Sequence, residues 1–290
     1  MIKLAAGLAL LSACIPPITD KPMYVNPELP YTQQAQIWDS AFPEGAAIMR
    51  EYASIPMAKW FNTDPAAYLS RVPTGQVPII VMYNIPNRDC GTQFSAGGAS
   101  SNEEYKQFVD SVARAISDPD TIIILEPDAL ADLDCLPDTL KWERLGLLKY
   151  ALDTLPARVY IDGGNPRWQS YLTMAQRLNW LGNPNFVLNT SYYETTNVNI
   201  MYGTAISNYT NGAHFVIDTS RNGVPPVDDQ FCNPPNRMVG QRPTFNTNQP
   251  LVDAYLWIKE PGGSDGECNR GEPPAGHWWP VRALELWWGP

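Results

Sequence analysis

The sequence predicts an α/β fold, a distorted seven-stranded parallel (β/α) barrel. Three observations carry this: short continuous apolar runs recur along the 290 residues, stretches with helical spacing separate them, and polar or acidic groups stand where the runs end. Runs that are apolar throughout, rather than alternating, are strands buried on both faces, as in a parallel sheet covered by helices. The length suits one such barrel, and seven runs leave it incomplete.

Taken in order, Met1 to Ala13 places Lys3 before the apolar Leu4–Leu11 and ends in Leu11-Ser12-Ala13-Cys14. Residues 1–14 therefore read as a signal peptide with a lipobox-like end, its apolar part too short to span a membrane. Cleavage there leaves Cys14 as a lipidated first residue; an ordinary secretory signal is the alternative. Either way the mature protein is expected outside the cytoplasm, secreted or at the cell surface. Residues 15–30 are Pro-rich and read as a short extended tether, and 31–290 as the barrel domain. Strands are expected at Ile55–Trp60, Val77–Asn84, Thr121–Glu126, Arg158–Asp162, Phe186–Thr190, His214–Asp218 and Asp253–Lys259. The clearest helices are Asn102–Ser117, Asp138–Leu155 and Arg167–Leu181.

Composition narrows the function. A net charge of -10 disfavours nucleic acid and anionic lipid as partners, so membrane attachment is expected only through a lipid on Cys14. Ten Trp and fourteen Tyr offer flat apolar faces that suit the rings of a neutral saccharide. With two separated histidines and no Gly-rich phosphate loop, neither a zinc site, a Ser-His-Asp triad nor a nucleotide cofactor is expected, and no metal. Setting Cys14 aside, Cys90, Cys135, Cys232 and Cys268 permit three pairings. Cys90–Cys135 with Cys232–Cys268 is expected, since each pair joins loops flanking site segments and closes a moderate length of chain. A monomer is expected.

The run Thr121–Leu125 ends in Glu126 and Asp128, locked by Pro127. Five of the seven strands lead into such a group: Asp89, Asp128, Asp162, Asp218, and Lys259 followed by Asp265. In parallel barrels these ends share one face. An aspartate capping the next helix explains any single position equally well, but not the set. Cleaving an acetal link between sugars needs a protonated acid and, for inversion, a water activated on the opposite face. Asp128 suits the acid, because a carboxyl at the mouth of an apolar strand beside another carboxylate keeps its proton.

Four motifs then resemble glycoside hydrolase family 6: Tyr83-Asn84-Ile85-Pro86-Asn87-Arg88-Asp89-Cys90, Leu125-Glu126-Pro127-Asp128-Ala129-Leu130, Tyr160-Ile161-Asp162-Gly163-Gly164-Asn165, and Lys259-Glu260-Pro261-Gly262-Gly263-Ser264-Asp265-Gly266. The similarity covers about residues 24 to 288. It implies inverting cellulases on a distorted seven-stranded barrel, with Asp128 as general acid and Asp89 as the second carboxylate that raises the acid's pKa and steadies positive charge on the ring. For Asp89 an ion pair with Arg88 is the alternative. Glu126 matches a structural position. Asp265 matches the carboxylate often proposed as base, with activation of water through a chain as the other route. Ser95, on a mobile Gly-rich loop through Gly97 and Gly98, would hold that water and close over substrate. Tyr83 would lie beneath the distorted sugar, Trp60 and Trp168 would stack on neighbouring rings, and Lys259 and Asn189 would bond hydroxyls. Asp162 and Asp218 fall to binding or structure.

The chain departs from the family pattern at Asn87, Asn165, Phe231 and Gly263, where the resemblance implies Asp, His, Trp and an acid. Asn165 can still exchange hydrogen bonds with a sugar, and Phe231 still offers a smaller stacking face. Cys268 follows Asp265 almost at once, so the last loop cannot roof the cleft. An open cleft and an endo-β-1,4-glucanase acting on cellulose or mixed-linkage β-glucan are expected. Three alternatives stand beside it: an exo-acting cellobiohydrolase of the same family, a phosphoesterase whose aspartates hold Mg²⁺ or Ca²⁺, and a non-catalytic glucan-binding lipoprotein.

Overall fold

A computed structural model describes residues 18–89 and 95–290. Seven strands, β1 (Lys59–Phe61), β2 (Ile79–Met82), β3 (Ile122–Leu125), β4 (Arg158–Asp162), β5 (Phe186–Leu188), β6 (Phe215–Asp218) and β7 (Val252–Leu256), pair in sequential order. Every pairing is parallel. The helices are α1 (Pro30–Trp38), α2 (Pro43–Ala53), α3 (Ala66–Leu69), α4 (Asn102–Ala115), α5 (Asp138–Thr154), α6 (Tyr171–Trp180), α7 (Thr196–Ser207) and α8 (Pro280–Trp288).

The period of two along each strand divides its side chains between two cores. Ile79, Val81, Ile122, Ile124, Tyr160, Val187, Val216, Ala254 and Leu256 fill the barrel interior. The alternate residues Ile80, Met82, Ile123, Leu125 and Ile161 pack outward against the helices. Both sets are buried, which is why the strands read as unbroken apolar runs. Closure is partial: β1 and β7 share no ladder, and the gap is crossed by the Ala58 amide donating to Trp257 O at 2.9 Å and the Trp60 indole donating to Ile258 O at 2.8 Å.

Several expectations change. The first strand begins four residues later than Ile55, because Ile55 and Met57 pack with Tyr52, Trp257 and Leu284 in a third cluster built on α1, α2 and α8. Burial there comes from helices, and the apolar pattern alone does not separate the two. Residues 18–29 are not a free tether. Tyr24 N donates to Val77 O at 2.8 Å, Val77 N to Pro22 O at 2.9 Å, and Lys21 pairs with Asp118 and Asp120 at 2.7 and 2.9 Å, so this segment lies along the bottom of the barrel. An extended Pro-rich strip still carries amides and carbonyls, and these find the strand entering β2.

α4 matches its expected start because Ser101 caps it, accepting from the Glu104 amide at 3.1 Å. α6 starts at Tyr171 rather than Arg167, because Ser170 caps it and residues 165–169 form a turn at the cleft. Cys232 and Cys268 are disulfide-bonded with Cα atoms 5.7 Å apart. Cys135 is disulfide-bonded as well; Cys90 and Cys14, and with them the rest of residues 1–17, lie outside the described residues. No described helix is long and apolar enough to cross a membrane.

Candidate active site

The strand ends converge on one cavity of about 850 Å³. Its lining includes Trp60, Tyr83, Asp89, Ser95, Asp128, Asn165, Trp168, Lys259 and Asp265, that is, every candidate catalytic residue and every candidate binding residue but one. Asn189 is the exception. It is fully buried, donates its side-chain amide to Asp218 O at 2.8 Å and accepts from the Glu194 amide at 3.0 Å, so it shapes the turn after β5 and has nothing left for a sugar hydroxyl.

The backbone at this rim is held in unusual conformations. Asn87 and Asp89 after β2, Glu126 and Asp128 after β3, and Asn189 and Ser191 after β5 all have positive φ, between 48° and 71°. Residues with side chains occupy this region at a cost, and they gather where surrounding bonds over-determine them. Those bonds are present. Glu126 accepts from the amides of Asn84 and Ile85, both at 2.9 Å, tying the end of β3 to the end of β2. The Asp128 amide donates to Asp162 at 3.0 Å. Asp218 accepts from four amides, those of Ser191, Ser220, Ile258 and Lys259, so it joins the ends of β5, β6 and β7 and is structural.

Electrostatics divide the cleft. Asp128 is partly exposed to it, and no described cation pairs with its carboxyl within ion-pair distance. Burial, then the neighbouring carboxylates Asp162, Asp89 and Asp132, raise its pKa well above the ordinary aspartate value, with Lys259 opposing weakly. Asp89 is also raised by burial, partly offset by the Tyr83 hydroxyl that donates to it at 2.7 Å and by Arg88 and Arg144. Arg88 does not pair with Asp89. It donates to Ser95 O at 2.8 Å and Tyr83 O at 2.5 Å while lying over the Tyr83 ring, 4.1 Å from its centre.

Asp265 sits in the opposite environment. Burial alone would raise its pKa, but Arg221 grips both its oxygens at 2.9 Å, Lys259 lies 3.3 Å away and the Asn233 amide donates at 3.0 Å, and together they hold it at about 2. Tyr193 adds a hydroxyl bond at 3.0 Å and supports the Arg221 guanidinium on its ring, 4.4 Å away. Lys259, a candidate sugar ligand, is thus partly committed to Asp265 and to Ser264 O at 3.1 Å.

The Ser95 loop is fastened on its described side. Ala99 N donates to Asn84 O at 2.8 Å and Arg88 N to Gly97 O at 3.3 Å; a Cβ on Gly98 would stand 1.9 Å from Ile85 O, so only glycine fits. Phe231 stands exposed on the cleft wall, next to the Cys232–Cys268 disulfide.

Sequence reasoning missed Arg221, Tyr193 and Asp132. Arg221 follows β6 by three residues, so a strand-end search that admitted cations would have found it. Asp132 is one turn beyond Asp128, its amide donating to Asp128 O at 2.8 Å, and it lines the same cleft. Burial and then Asp89 raise its pKa to about 6, against Arg144. Nothing local marks Tyr193.

The family model for glycosyl hydrolases family 6 matches residues 18–288. The chain belongs to that family. Endoglucanase A of Cellulomonas fimi is 42% identical to it over 91% of this chain, and endoglucanase 1 of Streptomyces halstedii 37% over 92% of it and 88% of the relative. The chain spans 60% of the Cellulomonas protein and 58% of endoglucanase A of Thermobispora bispora. Among solved structures, the endoglucanase Cel6 from Mycobacterium tuberculosis, in complex with a methyl-cellobiosyl-4-deoxy-4-thio-β-D-cellobioside, superposes with a TM-score of 0.87 at 40% identity, covering 93% of this chain and 98% of that one. The family 6 barrel and its order of motifs therefore run through the described chain.

Proposed function

We propose that this family 6 chain is an inverting endo-β-1,4-glucanase acting on cellulose or mixed-linkage β-glucan. The observation that carries the reading is one cleft holding two carboxylates with opposite proton affinities, Asp128 raised and Asp265 held at about 2. Asp128 gives its proton to the leaving glycosidic oxygen while a water attacks the anomeric carbon from the other face. Asp89, tied to Tyr83, keeps negative potential beside the reacting ring and supports the acid's proton. Asp265 stays ionised and takes the water's proton, directly or through a water chain that Ser95 helps to hold. Tyr83 supports the distorted sugar, Trp60 and Trp168 stack on its neighbours, and Asn165 and Lys259 bond hydroxyls.

The endo mode rests on the segment after Asp265. It turns back at once, through the Cys268 disulfide and the Arg270–Glu272 pair, with Gly276 N bonded to Ser264 O at 2.9 Å, and it raises no roof over the cleft. Timed product analysis on carboxymethylcellulose and barley β-glucan, with Asp128→Asn as control, tests the whole. Viscosity should fall quickly relative to sugar released, and the α-anomer should appear first. Cellobiose as nearly the sole early product would assign the exo mode, early β-anomer would refute inversion, and activity on carboxymethylcellulose that survives EDTA would exclude the metal-dependent phosphoesterase. Oligosaccharide binding without turnover would leave a glucan-binding lipoprotein. Export through residues 1–14 with acylation at Cys14, and a monomeric state, complete the proposal; labelled palmitate incorporation that survives Cys14→Ala would remove the anchor.

A further inference from the structure

Fifty of the 290 residues are charged, yet from Trp168 to Ala213 none of them faces solvent. The only two charges in that stretch, Arg177 and Glu194, are buried and paired, with Asp134 at 2.6 Å and Arg167 at 2.8 Å. The stretch carries α6, β5 and α7, and the end of α6 meets the turn after α7 through the Asn179 side-chain amide, which donates to Tyr209 O at 3.1 Å. What it exposes is apolar and amide, the apolar part made of aromatic rings together with Leu172, Val198 and Met201. Tyr171 (39% exposed) and Tyr209 (56%) pair with ring centres 6.0 Å apart, and Trp180 (48%) pairs with Trp142 of α5 (63%) at 5.7 Å. Gln176 and Asn197 lie exposed on the same two helices.

A surface of this kind is unusual on a soluble acidic protein, where exposed faces carry charges of both signs and contiguous apolar patches mark interaction sites. Side chains free to turn away from water have instead paired their rings in the open. Trp168 connects the face to the cleft. It lines the cavity, is itself exposed, and stands three residues before Tyr171.

We infer that the α6–α7 face, from Trp168 through the Tyr171–Tyr209 pair to the Trp142–Trp180 pair, is a second glucan-binding surface that holds insoluble β-glucan beside the cleft. The occupant is uncharged, so a face without charge costs nothing against it, and its rings present apolar C–H faces to the aromatics while its hydroxyls meet the amides. The charges at its edges are already engaged, Arg167 with Glu194 and Asp229, Asp134 with Arg177, and Lys141 with Asp138, so a nucleic acid, an anionic membrane or a charged protein would find no free patch of one sign here. The inference rests on the β-glucan reading of the cleft.

Adsorption to microcrystalline cellulose tests it, using the full chain in an Asp128→Asn background so that the solid is not consumed. Trp142→Ala with Trp180→Ala, and separately Tyr171→Ala with Tyr209→Ala, should each lower the adsorbed fraction's partition coefficient roughly three- to tenfold, the size of one aromatic stacking contact. Trp180→Tyr should keep most of it. The same substitutions in the active protein should leave hydrolysis of soluble cellotetraose unchanged. Unchanged adsorption with an unchanged melting temperature would overturn the inference, as would a wild-type dimer in sedimentation that these substitutions dissociate, which would assign the face to a second copy. Adsorption through this face by a protein that releases no sugar from any soluble glucan would sustain the surface and refute the glucanase reading alone.

Discussion

The two sides of the cleft hold the same functional group in opposite states. Around Asp128 the neighbours are the carboxylates Asp162, Asp89 and Asp132, with Lys259 a weak opposing charge, while Arg144, which acts on Asp89 and Asp132, is turned to the carbonyls of Pro86 and Asn87. Around Asp265 they are Arg221, Lys259 and amide donors. The sequence chemistry is equal on both sides, an aspartate after a strand; what differs is which other loops the barrel brings alongside. Burial strengthens both fields, so the same desolvation that keeps a proton on one carboxyl makes the cation clamp on the other more effective.

Stability should respond to pH with opposite signs on the two sides. Asp265 has a depressed folded pKa, so its contribution is present above the ordinary aspartate range and is lost as pH falls towards about 2. Asp128 has a raised one, so its contribution is full below the ordinary range and is lost as pH rises through its folded value. Urea unfolding between these limits should therefore pass through a maximum.

Removing the proton side should have the largest effect. Asp128→Asn is expected to lower kcat by about 10²–10⁴ while cello-oligosaccharide binding persists, measured by steady-state rates and calorimetry. Near-normal turnover would erase the distinction between the two sides. Next, Arg221→Met leaves Asp265 buried without its guanidinium partner and should cost about 3–5 kcal/mol in urea unfolding. In whatever activity survives, the acid limb of the pH profile should move upward; an unmoved limb would mean that Asp265 does not titrate in the rate.

Much of this was legible beforehand, and what was not has physical causes. All seven strands were visible because burial on both faces leaves unbroken apolar runs, and Asp89, Asp128 and Asp265 because strand ends share a rim. Ile55 and Met57 misled because helices buried them as thoroughly as a sheet would. Asn189 misled in another way: its side chain satisfies a backbone amide of its own turn and the carbonyl at the end of the neighbouring strand β6, which only the folded register of β5 and β6 brings within reach. Arg221 and Tyr193 went unseen since their partner lies 44 and 72 residues away.

Smaller changes sharpen the comparison. Replacing Cys232 and Cys268 together by Ser should cost about 2–4 kcal/mol, read as a lower melting temperature, and should loosen the Asn233 amide that helps to hold Asp265. Asp132→Asn should act on the other side only, shifting the alkaline limb of the pH profile to lower pH with the plateau rate little changed, because one carboxylate is withdrawn from the field around Asp128. A shift in the acid limb instead would place Asp132 in the wrong half.

The most direct measurement is a ¹³C NMR titration of the aspartate carboxyls, with Asp128→Asn and Asp265→Asn used to assign the two resonances. Asp265 should titrate at about 2, and Asp128 should keep its proton well above the ordinary aspartate range. Two carboxyls titrating together near the ordinary value, or in the reverse order, would contradict it.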